Sequence, residues 1–249
     1  MQSPHDPAEY GDLIAHLYDD LYPGTDSAEL AAETLAGLTG DGTVLELGIG
    51  TGRISLPLVR RGVSVCGVDS SQAMVNELRT KPDSESIPVS IGDFGSDHLG
   101  GPYSLVFVAF NTFFGLVTQE DQIRGFANVA NSLADGGRFV MESFVPDLAR
   151  FDRGQRMSAA QVQSDSVAFE VSEHDVMSQT VRSAHVIVTE AGNQIFPVTI
   201  RYAWPSELDL MARLAGFELE ERWASWSCDP FNSAASGHVS VWRKIGEPA

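Results

Sequence analysis

Cysteine is nearly missing from this sequence, with only Cys66 and Cys228 among 249 residues. Two thiols build neither a disulfide framework nor a cysteine-rich metal site, and they suit a reducing compartment. Cys66 lies inside an apolar run and reads as a small buried hydrophobe. Positive charge is also scarce. Lys and Arg total 16 against 34 Asp and Glu, a formal net charge of −18. That balance argues against phosphate backbones and anionic membranes as partners, and it is compatible with a cationic small substrate. Long hydrophobic runs are lacking too. The longest strongly apolar stretch, Leu105-Val106-Phe107-Val108-Ala109-Phe110, is far short of the ~20 residues a membrane span needs. The opening Met1-Gln2-Ser3-Pro4-His5-Asp6-Pro7 has no basic start and no apolar stretch, so no signal peptide is expected. The expectation is a soluble, cytoplasmic protein without a nucleic-acid or membrane partner.

What is present is an ordinary globular composition, 43% apolar and 20% charged. The length suits one large domain, or one domain with an inserted subdomain. In residues 8–22, Tyr10, Leu13, Ile14, Leu17, Tyr18 and Leu21 recur at spacings of three and four and predict a helix ended by the Pro23-Gly24 turn. Ser27 is the expected N-cap of a second helix over 28–38, with Leu30, Thr34, Leu35 and Leu38 turned inward. From residue 44 strands and helices alternate with short connections. Strands are expected at 44–47, 63–68, 87–91, 103–109 and 138–142. Helices are expected at 53–61, from a Ser70 or Ser71 cap to about 80, and at 119–133, with Gly136-Gly137 as a tight turn. This rhythm predicts a doubly wound parallel sheet with helices on both faces.

The texture changes after Pro146. Three β-rich runs at 167–176, 179–189 and 194–203, with Gly192-Asn193 as a hairpin signal, predict a small inserted antiparallel sheet. It is read as a lid or an oligomer surface, which leaves a homo-oligomer open. Pro205 opens a helix with Leu208, Met211 and Leu214 or Ala215 on one face, and 217–226 with 238–244 read as closing strands.

Chemistry concentrates in Glu46-Leu47-Gly48-Ile49-Gly50-Thr51-Gly52-Arg53, between the first strand and the next helix. Glycines two apart let the backbone turn sharply and approach a ligand, at the crevice where open α/β sheets bind. A plain chain reversal is the alternative. Counted from Gly48 for a dinucleotide fingerprint, the third position is Arg53, which is too large, and no G-x-x-x-x-G-K-[ST] occurs. Glu46 repels a pyrophosphate and suits a ligand bearing an ammonium group.

At this point the sequence resembles the class I S-adenosylmethionine-dependent methyltransferases. Val44-Leu45-Glu46-Leu47-Gly48-Ile49-Gly50-Thr51-Gly52 looks like their first motif, and the likeness is good over about 40–145 and looser in the closing segments. The resemblance implies a Rossmann-like seven-stranded sheet whose last strand is antiparallel. It implies that the loop, Glu46 to Arg53, wraps the methionine and ribose end of S-adenosylmethionine, and that Asp69 takes the ribose diol. A capping acid before Ser70-Ser71 is the other reading of Asp69. Ser70 and Met74 fall where the family packs against adenine, although Met74 is equally a core residue. Gly92-Asp93-Phe94 matches the third motif, with Asp93 on the adenine amino group and Phe94 beside the ring, or Asp93 is an exposed turn acid.

Asn111 offers a donor and an acceptor to the cofactor carboxylate, the backbone or the substrate. Phe113 and Phe114 are candidate walls around the methyl group, and at least one is expected in the core. Ala15-His16-Leu17-Tyr18-Asp19 looks like antibiotic amino-sugar and lincosamide N-methyltransferases, in which such a segment folds over the cofactor. Tyr10 and Tyr18 are accordingly assigned to the cofactor and the acceptor, with amphipathic packing as the alternative. His16, His174, His185 and His238 are expected to be surface or hydrogen-bonded, and Trp204, Trp223, Trp226 and Phe231 to be core or pocket lining. No metal site is expected. The chain divides into a lid segment at 1–38, an S-adenosylmethionine-binding domain at 39–145 and 204–249, and an inserted β subdomain at 146–203. The expected activity is methyl transfer to a small molecule, an amine nitrogen first. A hydroxyl or carboxyl acceptor, or cofactor binding without catalysis, is the alternative.

Overall fold

A computed structural model describes residues 6–23 and 25–246. Residues 1–5, with most of the segment read as lacking a signal peptide, and Gly24 of the expected Pro23-Gly24 turn lie outside the described residues. The chain opens with α1 (Glu9–Ile14), a 3-10 turn (Ala15–Leu17), α2 (Tyr18–Leu21) and α3 (Thr25–Thr39). One continuous helix was expected over 8–22. The 3-10 turn instead breaks that helix, with Ile14 and Ala15 buried together, while Tyr10 and Tyr18 both meet Tyr22. The third helix begins before Ser27, which is therefore inside it and not its cap. Its buried stripe is Ala28, Ala31, Ala32 and Leu35, while Leu30 is 40% exposed. Small side chains at i, i+3, i+4 and i+7 let this helix lie close to its neighbours.

The doubly wound unit then runs β1 (Val44–Leu47), α4 (Ser55–Arg60), β2 (Val65–Asp69), α5 (Gln72–Arg79), β3 (Val89–Ile91), β4 (Tyr103–Val108), α6 (Gln119–Ser132) and β5 (Leu133–Phe144). It resumes after the small sheet with α7 (Pro205–Leu214), β10 (Phe217–Trp223) and β11 (Gly237–Lys244). The strand order is β10-β11-β5-β4-β1-β2-β3. Strands β1 to β5 pair in parallel, while β11 pairs antiparallel with both β5 and β10. This is the seven-stranded, Rossmann-like sheet implied by the sequence.

Side-chain alternation splits the core. Val44, Leu105, Phe107 and Val140 pack under α3 and α4, while Leu45, Val106, Phe139 and Met141 pack under α6 and α7. Phe126 anchors the second layer, with Phe113, Phe139 and Trp242 at 5.1, 5.4 and 5.5 Å. Cys66, expected to be buried, is half-buried.

The second sheet has four strands where three were expected: β6 (Gln155–Val162), β7 (Ser166–Asp175), β8 (Thr180–Thr189) and β9 (Gly192–Arg201), in that order and antiparallel. The first of them is an edge strand with a register shift between Ala159 and Gln161, and its sequence lacks the β-branched alternation that marks a strand. Thr189 pairs with Gly192, and Val188 with Asn193. The turn is therefore Glu190-Ala191, and the Gly192-Asn193 signal lies two residues late. One face of this sheet carries Phe196 and Ile187 against Ile14, Ala15 and Met74. The order of strands reverses between β1 and β4, so the crevice opens at their carboxyl ends.

Candidate active site

The glycine loop leaves β1 and bends back at once. Gly48, Gly50 and Gly52 have φ of +67°, +54° and +79°, the left-handed region that glycine adopts without a Cβ clash. A Cβ on Gly48 would lie 2.5 Å from Thr112, and one on Gly52 would lie 2.3 Å from Leu78. Gly50 differs: its nearest neighbour would be the Gly48 carbonyl at 3.9 Å, so this tip faces open space. A cavity of about 250 Å³ opens beside the loop, between Tyr22, Gly52, Arg53 and Lys81.

Asp69, at the end of β2, is 8% exposed. One carboxylate oxygen accepts from the Gly50 amide at 2.6 Å and the other from the Ser71 amide at 2.8 Å. Burial raises its pKa, and these amides oppose the rise. Ser71 is the cap of α5, accepting from the Met74 amide at 3.1 Å. Ser70 donates to the Pro7 carbonyl at 2.9 Å.

Glu46 is buried and accepts from the Ser55 hydroxyl. Burial pushes its carboxyl up to about 8, with the Ser55 hydrogen bond opposing and Asp69 reinforcing. In the chain alone, burial therefore favours the protonated carboxyl near neutral pH. Asp93 uses both oxygens locally, accepting from the Gly95 amide at 2.8 Å and the Ser96 hydroxyl at 2.9 Å. Phe94 is half-buried, 6.4 Å from Phe113. Asn111 has φ of +65° and accepts from the Phe144 amide at 2.7 Å. Of its three expected partners, the backbone is the one it meets. Phe113 and Phe114 are both fully buried. Phe114 packs on Phe144 at 5.1 Å and is a core residue here, where a wall of the open crevice was expected. Met74 is buried beneath the N-terminal helices.

That N-terminal segment is laid over the loop by polar ties. Asp12 accepts from the Ser71 hydroxyl at 2.6 Å, where a Cβ on Gly11 would lie 2.6 Å from Ser71. Asp19 accepts from the Thr51 hydroxyl at 2.7 Å and pairs with Lys81 at 2.5 Å, and Lys81 also donates to the Thr51 carbonyl at 2.8 Å. Burial acts to raise the Asp19 pKa, but the hydrogen bonds from Lys81 and Thr51 prevail and lower it. Tyr18 is hydrogen-bonded to Arg53, and burial pushes its phenol up to about 12. Arg53 stacks over Phe110 at 4.1 Å. The Tyr10 hydroxyl meets that of Tyr22 at 3.2 Å, and burial raises its pKa too. Tyr22 and Tyr18 rings lie 5.0 Å apart.

Sequence reasoning missed Glu142. It accepts from the Phe110 amide at 3.0 Å, and burial raises its pKa, opposed by that amide, Trp226 and Arg53. An acid near the end of an apolar strand, as Asp69 is in β2, was the available signal. His174 bonds the Tyr202 hydroxyl at 2.9 Å. His238 is buried on Ser240 at 2.9 Å, and burial lowers its pKa to about 4. Trp204 is 41% exposed and Trp226 is buried. Among the described residues, no group of three or more His, Cys, Asp or Glu is placed to hold a metal, and no helix is long and apolar enough to cross a membrane.

A family model for a methyltransferase domain matches residues 44–137. The cypemycin N-terminal methyltransferase of a Streptomyces species is 28% identical over 247 residues, covering 96% of this chain and 99% of that protein. The CcbJ methyltransferase structure from Streptomyces caelestis is 38% identical, with a TM-score of 0.91, and covers 97% of this chain and all of the other. CalS10 from Micromonospora echinaspora, an amino pentose methyltransferase of calicheamicin biosynthesis solved with S-adenosylmethionine, has a TM-score of 0.69 at 22% identity. That comparison covers 92% of this chain and 96% of CalS10, and it supports the fold alone.

The Glu46 carboxyl generates a pH prediction. Its pKa is about 8 when folded against 4.5 in the ordinary state, so between those values the folded chain binds a proton that the unfolded chain has released. Its contribution to stability is therefore present in acid and lost as pH rises toward about 8. Glu46→Gln should remove this slope, and thermal melts across that range should show the variant gaining on the parent as pH increases. Parallel curves would mean that Glu46 is ionised in the fold.

Proposed function

The chain belongs to the S-adenosylmethionine-dependent methyltransferases, and from that premise we propose that it methylates an amine nitrogen of a small natural product. The residues fit the cofactor on the observation that Gly50 faces open space beside a buried carboxylate. Each Asp69 oxygen holds one backbone amide and keeps lone-pair capacity for a diol. In this reading the loop from Glu46 through Gly48, Gly50 and Gly52 to Arg53 holds the methionine end, and Asp69 holds the ribose. Ser70, Met74, Asp93 and Phe94 surround the base, and Asn111 fixes the rim. When bound, S-adenosylmethionine supplies an electrophilic methyl carbon, and the protein supplies alignment and exclusion of water.

The observation that carries the amine reading is the state of the groups around the crevice. Burial holds Tyr10 and Tyr18 protonated and raises the pKa of Glu46, Asp69 and Glu142. Asp19 is lowered but tied to Lys81. A hydroxyl acceptor needs a strong base in place, whereas an amine needs at most a weak one, to take the proton of its ammonium form, and then carries its own lone pair. Tyrosine faces also favour a nitrogen that becomes cationic. The cypemycin relative is named for methylation at an N-terminus and one fold neighbour is a sugar N-methyltransferase, and both names fit an amine acceptor. Residues 1–38 act as a lid over the domain at 39–145 and 204–249, and the 146–203 subdomain walls the acceptor side.

Amine and hydroxyl versions of one scaffold, compared by mass detection of methylated product and of S-adenosylhomocysteine, test the reading. The amine version should turn over and the hydroxyl version should not; the reverse sinks the proposal. Asp69→Ala should weaken cofactor binding by about 2–3 kcal/mol, as loss of charge-assisted hydrogen bonds does. Unchanged affinity by calorimetry would remove Asp69 from the site. Gly50→Val places a branched side chain in the one open direction, at φ +54°, and should abolish binding while the melt stays cooperative. Normal binding would show that the loop does not touch the cofactor.

A further inference from the structure

A second group of ionisable side chains lies on the inner face of the small sheet. Glu170 and His185 are register partners across β7 and β8, and the Glu170 carboxylate lies 3.7 Å from His185 Nε2. The other Glu170 oxygen accepts from the Ser172 hydroxyl at 2.9 Å and has Arg150 and Arg156 at 3.7 and 3.9 Å. Phe196, the neighbour of His185 on β9, packs with Ile14, Ala15 and Met74, so this face looks onto the N-terminal helices. The His185 ring lies 6.4 Å from that of Tyr10. Tyr10 meets Tyr22, Tyr22 lies against Tyr18, and Tyr18 bonds Arg53 of the glycine loop. A run of neighbouring aromatic side chains therefore leads from the glycine loop to the imidazole, with Tyr10 as the group beside His185. The His185 and Glu170 side chains are 30% and 22% exposed, which leaves a proton a way out to water.

We infer that His185 is the group that removes the proton from the acceptor amine, and that Glu170 is the residue that positions it. The inference rests on the N-methylation reading. Most alkylamines are ammonium ions near neutral pH and have no free pair to attack a methyl carbon. The N–H bond of that ammonium breaks, its electron pair stays on nitrogen, and the proton passes to His185 Nδ1. Glu170 lies 3.7 Å from Nε2, so Nδ1 is the ring nitrogen turned away from the carboxylate and is taken as the acceptor atom, and the carboxylate charge offsets that of the imidazolium that forms. The imidazolium then returns the proton to solvent.

The neighbouring groups suit this role less well. Tyr10 and Tyr18 are held as phenols by burial, Asp19 is bound to Lys81 and Thr51, and Glu142 is buried on the Phe110 amide. The charged groups facing the imidazole are Glu170 from β7 and, through it, Arg156 from β6 and Arg150 from the preceding turn. Tyr10 faces it from α1.

The test uses the full chain, saturating S-adenosylmethionine and an amine that the parent protein methylates. In His185→Ala, kcat near neutral pH should fall about 100-fold, the lower range for loss of a general base. The KM for the amine and the cofactor affinity by calorimetry should stay within about threefold, a span of roughly 0.6 kcal/mol. The defect should shrink as pH rises past the amine's own pKa, because the free base needs no proton acceptor, and added imidazole should restore part of the rate. Glu170→Gln should show a milder loss with the same pH trend, and Glu170→Asp should recover. Retention of kcat in His185→Ala, or an equal loss at every pH without imidazole rescue, overturns the inference and leaves N-methylation standing. If the parent methylates hydroxyls and no amine, the N-methylation reading itself fails and this inference goes with it.

Discussion

The carboxylate of Asp69 joins the two turns on which the crevice is built. Its oxygens hold the Gly50 amide of the first turn and the Ser71 amide of the second. Hydrogen bonds to a charged group contribute about 1.5–3 kcal/mol each, and burial works against the charge that makes them strong. The balance is favourable only because both partners are backbone amides whose positions are already fixed. Gly48 and Gly52 fix them by fitting against Thr112 and Leu78, where any side chain would collide. Gly67 adds a third constraint, since a Cβ there would lie 2.4 Å from Ile49. The loop is thus shaped by what its glycines lack, and only at Gly50 is the missing side chain matched by free space.

The N-terminal segment is tied to this same small region. Asp12 reaches the start of α5, Asp19 reaches Thr51 and Lys81, and Tyr18 reaches Arg53. Exposed ion pairs contribute little singly. Here three contacts converge on the turns that Asp69 already joins, so together they set the register of a segment with few buried apolar residues of its own. The same segment rests on the small sheet through Ile14 and Ala15. It therefore links the cofactor loop mechanically to the sheet that carries His185 and Glu170.

The parallel sheet was legible because its strands are short apolar runs bounded by glycine and acid, and covered on both faces. The turn of the glycine loop was legible because it depends on backbone conformation, which glycine spacing records directly. Side chains that act through tertiary contacts left weaker traces. Phe114 and Asn111 follow the fourth strand in a segment that reads as a crevice rim, yet local 3-10 geometry turns Phe114 inward and Asn111 onto Phe144. Glu46 carried a formal charge on paper, and the burial that raises its pKa against the opposing Ser55 hydrogen bond left no mark in the sequence. The first strand of the small sheet was hidden because an edge strand pairs on one side and tolerates polar residues on both faces. Glu142 and the pairing of Glu170 with His185 depend on which strands become neighbours, and no local pattern carries that.

These observations divide the crevice by the kind of group that builds it. On the cofactor side the work falls to amides, glycine φ angles and one carboxylate, features that change only if the turn itself changes. On the acceptor side, in the reading proposed above, it falls to Tyr10, Tyr22, Glu170 and His185, which project from a short helical segment and a sheet face. A substitution at one of these alters size, charge or proton affinity without disturbing the turns that hold the cofactor. The net charge of −18 belongs to neither side, because the buried acids of the crevice have raised pKa values and Glu170 on the small sheet is flanked by arginines. Its effect is long-range, in drawing cations toward the protein, while on the proposed N-methylation reading selectivity is set at short range by phenols and an imidazole. A change of acceptor within this architecture is therefore a change of side chains on the segment and the small sheet, with the Asp69 junction left as it is.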